Sequence, residues 1–512
     1  MAGRFTFSFR GLVPCCYFIA LAVVSPLLGQ PEEEPTLPVL SLDEAVSTAI
    51  ESNLGLRVER LNARIGEAGV AIAEAAFDPY LFGTARYQST TEASGEESDQ
   101  RAYSAGVSKR VVTGAEVTAA TSLSRNEGTR YSPDLNQFVG GTASRDADIS
   151  LSVTQPLLRG FGIDVTMAEL RRAESLDRAT RLELQRVILD ILRDTELAYW
   201  SVADAFARRQ LRESSRELAQ QLLEETRERA ELGLATRLEV LQAEANLATR
   251  EQEIIAAEQL LAERTDALLA LLGGLDDQRA IDQLVEVARV PDSPVRIPEF
   301  SHVWRTTLLR NPETAIQEEL ILRSELETLS ARDAHRPQFD VTVSGGYSGL
   351  SEESGSEAYR EALRRNGYDW GGRIAFNYPF GRHASRAALR QAEYRREQAE
   401  LALIDLKQTL LQATRTAWRD LDVARRQLNA AAITVRLQEA TYEQERSRYE
   451  EGLATTRDVL EAQRDLDTAR ASLLDARYNA LAAEIRLERQ QGLLLERHQL
   501  EWAAIAPETL TP

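Results

Sequence analysis

From Leu410 to Val435 the apolar and small residues Leu410, Thr414, Ala417, Leu421, Ala424, Leu428, Ala431 and Val435 recur at alternating spacings of four and three. That is the seam of a coiled coil. A second seam recurs every seven residues at Val240, Leu247, Ile254, Leu261 and Leu268, and a third, in register with it, at Val459, Leu466, Leu473, Ala480 and Leu487. Between such stretches the period drops to two. Phe339, Val341, Val343 and Tyr347 fall on one face of a strand, with Asp340, Thr342 and Ser344 on the other. Ile374, Phe376, Tyr378 and Phe380 alternate in the same way with Arg373, Ala375 and Asn377. Strands are also predicted over Leu81 to Ser89 and over Asp148 to Thr154, where Ile149, Leu151 and Val153 share a face. Two more are predicted near Tyr103 to Val111 and Ala115 to Ser124, meeting at Val112-Thr113-Gly114.

The chain repeats itself. At an offset of 219, Ala168 to Thr249 falls on Ala387 to Thr468 without a gap, and Gly233-Leu-Ala-Thr-Arg-Leu-Glu-Val-Leu-Gln-Ala meets Gly452-Leu-Ala-Thr-Thr-Arg-Asp-Val-Leu-Glu-Ala. Upstream the offset becomes 258, so that Asn53 meets Asn311 and Pro79 meets Pro337. The difference places a longer insertion in the first copy, between Pro79 and Pro156. Each copy predicts a helix, a β segment, a very long helix, a glycine turn and a further helix. In the first these are 42–78, 80–158, 165–232, 233–236 and 237–272; in the second, 300–335, 338–380, 384–451, 452–455 and 456–492. Residues 273–299 link the copies and 493–512 form a tail. The fold class is therefore mostly α with β, built on internally duplicated long antiparallel coiled-coil helices.

Composition narrows the function. The 512 residues carry 60 Lys and Arg against 80 Asp and Glu, a net charge of −20 that disfavours nucleic acid as a partner. Arg4, Arg10 and the apolar run up to Ser25-Pro-Leu-Leu-Gly-Gln predict a signal peptide over 1–29, followed by a Pro-rich acidic linker over 30–41. Cys15 and Cys16 are the two cysteines, so its removal leaves no thiol for disulfides, zinc or catalysis. His302, His335, His383 and His498 are scattered without metal-ligand spacing. The expectation is no catalytic residue, no metal and no cofactor. No later run is apolar enough for a transmembrane helix, which leaves a β-barrel as the means of spanning a membrane.

Leu40-Ser-Leu-Asp-Glu-Ala-Val opening a helix, Thr154-Gln-Pro-Leu-Leu-Arg-Gly closing a strand, and the paired Gly-Leu-Ala-Thr-x-x-Asp/Glu-Val-Leu-x-Ala turns resemble the TolC-like outer-membrane efflux factors. The resemblance covers roughly residues 40 to 495. It implies a homotrimer with a twelve-stranded outer-membrane β-barrel continuous with a long periplasmic α-barrel, the two shorter helices of each copy stacking end to end. It implies an exit duct served by a periplasmic adaptor and, through it, an inner-membrane pump. The competing reading is a soluble periplasmic coiled-coil adaptor or scaffold without a span. By resemblance the turns dock the adaptor, through Gly233, Leu234, Ala235, Thr236, Gly452, Leu453, Ala454 and Thr455. Asp458 and Glu461 match positions lining the closed aperture, and Glu239 and Tyr449 match a hydrogen-bonded pair of the gate. Ala454 stands where the family's gate carries an arginine, a role open to Arg237 or Arg457. The insertion from about Gln88 to Ala147 exceeds what two strands and a loop need, with its place inside or outside the barrel left open.

Overall fold

The computed structural model describes residues 39–500 except 94, 133, 136, 142, 274–285, 292–295 and 366. The expected signal peptide, most of the linker after it and the end of the tail lie outside the described residues. From the start of the described part, β1 (Val39–Leu40) leads into α1 (Leu42–Ser52), α2 (Leu54–Glu74) and a single 3-10 turn, Ala75–Phe77. Five strands follow: β2 (Tyr80–Thr91), β3 (Glu97–Arg110), β4 (Glu116–Ser132), β5 (Gln137–Gly140) and β6 (Ser144–Pro156). A short α3 (Ile163–Thr166) precedes α4 (Ala168–Glu231) and α5 (Arg237–Leu271). The linker between the copies carries β7 (Glu286–Val287); the second copy comprises α6 (Phe300–Arg310), α7 (Pro312–Ala334), β8 (Gln338–Ser351), α8 (Gly355–Leu363), β9 (Gly367–Asn377), α9 (His383–Glu450) and α10 (Thr456–Gln491), and α11 (Leu494–Arg497) lies in the tail.

The 64-residue α4 and the 68-residue α9 each run about 100 Å at 1.5 Å per residue. Helices this long need partners along their whole length, and the seams supply them. The α2 and α5 helices lie along α4, and α7 and α10 along α9, while α7 and α10 also touch α4. Leu410, Leu421, Ala424, Val459, Leu466, Ala480 and Leu487 of the predicted seams are buried, as are Leu261 and Leu268. Each fully buried leucine contributes roughly 1.5–3 kcal/mol over an exposed one.

The helices expected over 42–78 and 300–335 are each broken once, at Asn53 and at Asn311. Both asparagines take extended backbone and cap the next helix: Asn53 accepts from Leu56 N–H at 3.1 Å, and Asn311 from Glu313 N–H at 2.9 Å. Pro312, at the first helical position, has no N–H to lose there. Their amide nitrogens reach across the break, Asn53 Nδ2 donating to Leu271 O and Asn311 Nδ2 to Gln490 O, both at 3.1 Å. The C-terminus of α5 thus meets the start of α2, and that of α10 the start of α7, which is end-to-end stacking. Gly273 (φ +75°) and Gly492 (φ +70°) turn the chain away at these junctions, where a Cβ would sit 2.9 Å from Ser52 O and 2.8 Å from Arg310 O. Nearby, the fully buried Tyr199 donates to Leu40 O at 2.9 Å and accepts from Ala288 N–H at 3.0 Å, tying the parallel β1–β7 pair to α4.

The β segments form one antiparallel sheet in the order β2-β3-β4-β6-β8-β9, with β5 paired to β4 beyond the end of β6. Twelve strands from three chains would need four per chain; this sheet has six along its path. The strands of the insertion are longer than predicted and enter the sheet between β2 and β6. Within the segment 338–380, read from sequence as β, the chain also forms α8, capped by Ser354 accepting from Glu357 N–H. It packs Ala358 and Ala362 against the sheet.

Candidate functional site: the paired helix tips

Both glycine turns are built twice over in the same way. At the end of α4, Gly233 (φ +73°) donates to Ala230 O at 3.0 Å and Leu234 N–H to Arg229 O at 2.8 Å. At the end of α9, Gly452 (φ +78°) donates to Tyr449 O at 3.0 Å and Leu453 N–H to Arg448 O at 2.7 Å. These bonds satisfy the carbonyls a helix leaves open at its C-terminus, and the left-handed backbone they require favours glycine. Two residues later the next helix is capped. The Glu239 carboxylate accepts from Thr236 N–H at 2.6 Å and Oγ1 at 2.9 Å; the Asp458 carboxylate accepts from Thr455 N–H and Oγ1, both at 2.8 Å. In return each threonine caps the backbone N–H of the acid. The recurrence of Thr-x-x-Glu and Thr-x-x-Asp after the glycines is therefore a pair of capping boxes, a signal the sequence displays openly. The Thr455 backbone N–H, and after it the hydroxyl, holds the Asp458 carboxyl below its ordinary range.

The expected gate pair is not brought together. Glu239 is engaged by Thr236, whereas the buried Tyr449 has its hydroxyl 3.3 Å from Thr226 Oγ1 and 3.5 Å from Thr456 Oγ1. The guanidinium that reaches Tyr449 belongs to Arg229, which sequence reasoning did not single out, and not to Arg237 or Arg457. Arg229 Nη1 donates to Tyr449 O at 2.7 Å, and its Cζ lies 4.3 Å from the centre of the Tyr449 ring. A planar cation that both hydrogen-bonds and stacks ties one tip to the other. Below, Leu222, Tyr442, Val459, Ala462 and Leu466 close an apolar layer around Tyr449.

Asp458 and Glu461 are both exposed near the start of α10. Glu461 lines a groove between α5 and α10 together with Arg457, Arg464 and Asp465, while Asp458 stays at its cap. Among the expected docking residues Gly233, Leu234, Thr236, Gly452, Leu453 and Thr455 are exposed, and Ala235 and Ala454 half-buried. Leu232, Leu238 and Leu241 extend this exposed apolar rim on the first tip.

Further along the same helices lies a buried polar layer. Arg250 Nη2 of α5 meets Asp467 Oδ2 of α10 at 3.1 Å, and Ser215 Oγ of α4 donates to Asp467 Oδ1 at 2.7 Å. Glu253 accepts from Arg250 and from Arg212, both at 3.1 Å. Burial pushes Asp467 up, against the opposing pull of Ser215 and Arg250. No sequence signal marked this pair, because its counterparts at the repeat offset are Ala469 and Ala248. Among the described residues no cluster of three or more His, Cys, Asp or Glu could hold a metal ion, and no helix is long and apolar enough to cross a membrane.

A family model described as outer membrane efflux protein matches residues 45–274 and 308–493, spanning both copies from α1 to the C-terminus of α10. The chain belongs to that family. Members of the outer membrane efflux protein family are channels, not enzymes, and membership gives this chain a channel role in efflux at the outer membrane. The fold is that of solved outer-membrane channels. The channel CmeC of Campylobacter jejuni is 16% identical with a TM-score of 0.63, over 88% of this chain and 85% of that one. The outer membrane protein VceC of Vibrio cholerae is 17% identical with a TM-score of 0.63, over 88% and 96%. The channel MtrE of Neisseria gonorrhoeae, solved in its open state, is 17% identical with a TM-score of 0.59, over 88% of each chain. No curated protein matches the sequence.

Proposed function

We propose that this efflux-family chain is the outer-membrane exit duct of a tripartite efflux or type I secretion system. It acts as a homotrimer and passively conducts substrates delivered by an inner-membrane pump and a periplasmic adaptor. The observation that carries the reading is the combination of a sheet with one apolar face and two long helical hairpins whose tips are built alike and bonded to each other. A sheet of that kind suits a lipid boundary. A soluble adaptor has no use for the exposed Leu81, Tyr368, Trp370, Ile374 and Phe376 on it. Energy comes from the pump, since the chain carries no phosphate-binding Gly-x-x-x-x-Gly-Lys-Ser/Thr loop.

In this reading the helical body extends into the periplasm and the exposed rim of the tips docks the adaptor. Three copies of Asp458 and Glu461 place six carboxylates around the mouth, favouring cations. Purified protein in detergent should run as a trimer and give a discrete, cation-selective conductance in a planar bilayer; a monomer without conductance removes the proposal. Replacing Asp458→Asn with Glu461→Gln keeps the helix cap polar while removing the charge, and should lower cation selectivity. Leu234→Glu with Leu453→Glu should abolish export in cells while trimers persist, because the turns themselves are untouched. Persistent export would remove the tips as the docking surface.

A further inference from the structure

The register of the sheet gives the inserted hairpin a definite position. In the second copy β8 and β9 pair directly; in the first, β3 and β4 stand between their counterparts β2 and β6. They are paired along their length, β2 with β3 over 80–91, β3 with β4 over 98–110 and β4 with β6 over 116–126. The alternation of side chains crosses the insertion without a slip. One row reads Leu81, Val107, Ala119, Leu151, Gly345, Trp370, and the next on that face Gly83, Ala105, Thr121, Ile149, Tyr347, Tyr368. On the opposite face Thr84, Ser104, Ser122 and Asp148 form a row, with Thr84 and Ser104 hydroxyls 2.6 Å apart and Ser122 donating to Asp148 at 3.0 Å. Ser108 and Thr118 repeat that contact at 2.8 Å. Apolar on one side and hydroxyl-rich on the other is the pattern of a barrel wall. A loop or a hairpin standing outside the membrane has no reason to keep it in register with its neighbours.

β2 runs away from the helices and β9 runs back towards them, so β2 of one copy and β9 of the next are antiparallel. An even number of strands per chain lets such copies close with antiparallel pairing throughout. Left open, both edges expose unpaired backbone beside large apolar side chains, the arrangement that invites pairing with another chain.

Building on the duct reading, we infer that β3 and β4 are part of the barrel wall, so that three copies close an eighteen-stranded barrel in place of twelve. Barrel diameter grows roughly linearly with strand number, so the exit is roughly half again as wide as twelve strands allow. The helical body keeps four helix widths per chain, α2–α5 and α7–α10 each counting as one stack beside α4 and α9. The insertion thus widens the outer end alone, and sets the size of cargo that end admits.

Two measurements test this. In trimers reconstituted into lipid vesicles, spin labels at Val107→Cys and at Ser104→Cys should report opposite surroundings. The first should be accessible to oxygen from the lipid phase and the second to a water-soluble nickel chelate. Water exposure at both sites would put the hairpin outside the wall and overturn the inference. Deleting residues 97–132 leaves β2 and β6 joined at their outer ends and able to pair in their present register. In that variant the largest poly(ethylene glycol) that enters from the outer side should shrink in diameter by roughly a third. An unchanged cut-off overturns the inference; a variant that fails to assemble leaves the decision to the labels. Loss of trimers and conductance in the unmodified chain would instead strike the duct reading itself.

Discussion

Arg250 and Asp467 face each other at 3.1 Å with side chains only 6% and 4% exposed, joining a helix of the first copy to one of the second. Removing Arg250 takes away the counterion that touches Asp467 and leaves the buried carboxylate with the Ser215 hydroxyl as its hydrogen-bond donor. Arg250→Ala should therefore destabilise the helical body by about 3 kcal/mol, whereas Arg250→Leu combined with Asp467→Leu should recover most of that loss. Thermal melting of the helical signal in detergent checks both variants. Equal losses for the single and the double variant would show that packing, not charge, is at stake.

Arg229 on Tyr449 joins the two tips directly. A hydrogen bond from a charged donor and a stacked guanidinium together are worth about 2 kcal/mol. If both tips part when the duct opens, Arg229→Ala shifts that equilibrium roughly thirtyfold. The resting conductance in a planar bilayer should rise accordingly, with the trimer unaffected. Arg229→Lys keeps the charge but not the planar fork, and should behave more like alanine than like arginine.

Asn53→Ala and Asn311→Ala each remove an N-cap and a bridge to the stacked helix, at a cost of about 1–2 kcal/mol apiece. The sites are far apart in sequence but equivalent in structure, so their effects on melting should be similar in size. A loss at one position only would mean that the two junctions do not carry the same share of the fold.

Asp458 gives the second tip a dependence on pH. Its carboxyl is held below the ordinary value of 3.8 in the folded chain by the Thr455 N–H and hydroxyl. The unfolded chain therefore binds the proton first as pH falls, and the stabilisation, present above 3.8, is lost as pH drops through the folded value. Amide protection over residues 455–459 should fall across that window in the wild type and stay level in Asp458→Asn. Parallel loss in both would place the acid sensitivity elsewhere.

Much of the architecture was legible because long seams and alternating strands are periodic, and periodicity survives without knowledge of the partner. Leu421 or Leu466 in a seam, and Val343 or Ile374 in a strand, each announce a face. The helix breaks at Asn53 and Asn311 were missed although Asn-Pro at 311–312 is a helix-start signal, because the apolar pattern continues across them. The α8 helix was hidden inside a segment whose ends read as strand. The roles of Glu239 and Tyr449 followed from resemblance alone; within one chain Glu239 serves the Thr236 cap. Arg229 was invisible for a different reason. Its partner lies 220 residues away, and its own repeat counterpart, Arg448, pairs locally with Glu445.

The stacked junctions have a mechanical consequence. Leu56, Leu268 and Leu272 around the first junction belong to the same buried cluster as Ile188 of α4, while Glu313 beside the second shares Arg489 with Asp190, two residues further along α4. Both discontinuities thus fall at one level of the body. Across that level the only unbroken helices among those described are α4 and α9; the other stacks are joined by extended backbone at Asn53 and Asn311, side-chain amides, ion pairs and packed leucines. Such a plane concentrates compliance: a bend of the body there would distort two continuous helices, whereas a bend elsewhere along the stacks would distort four.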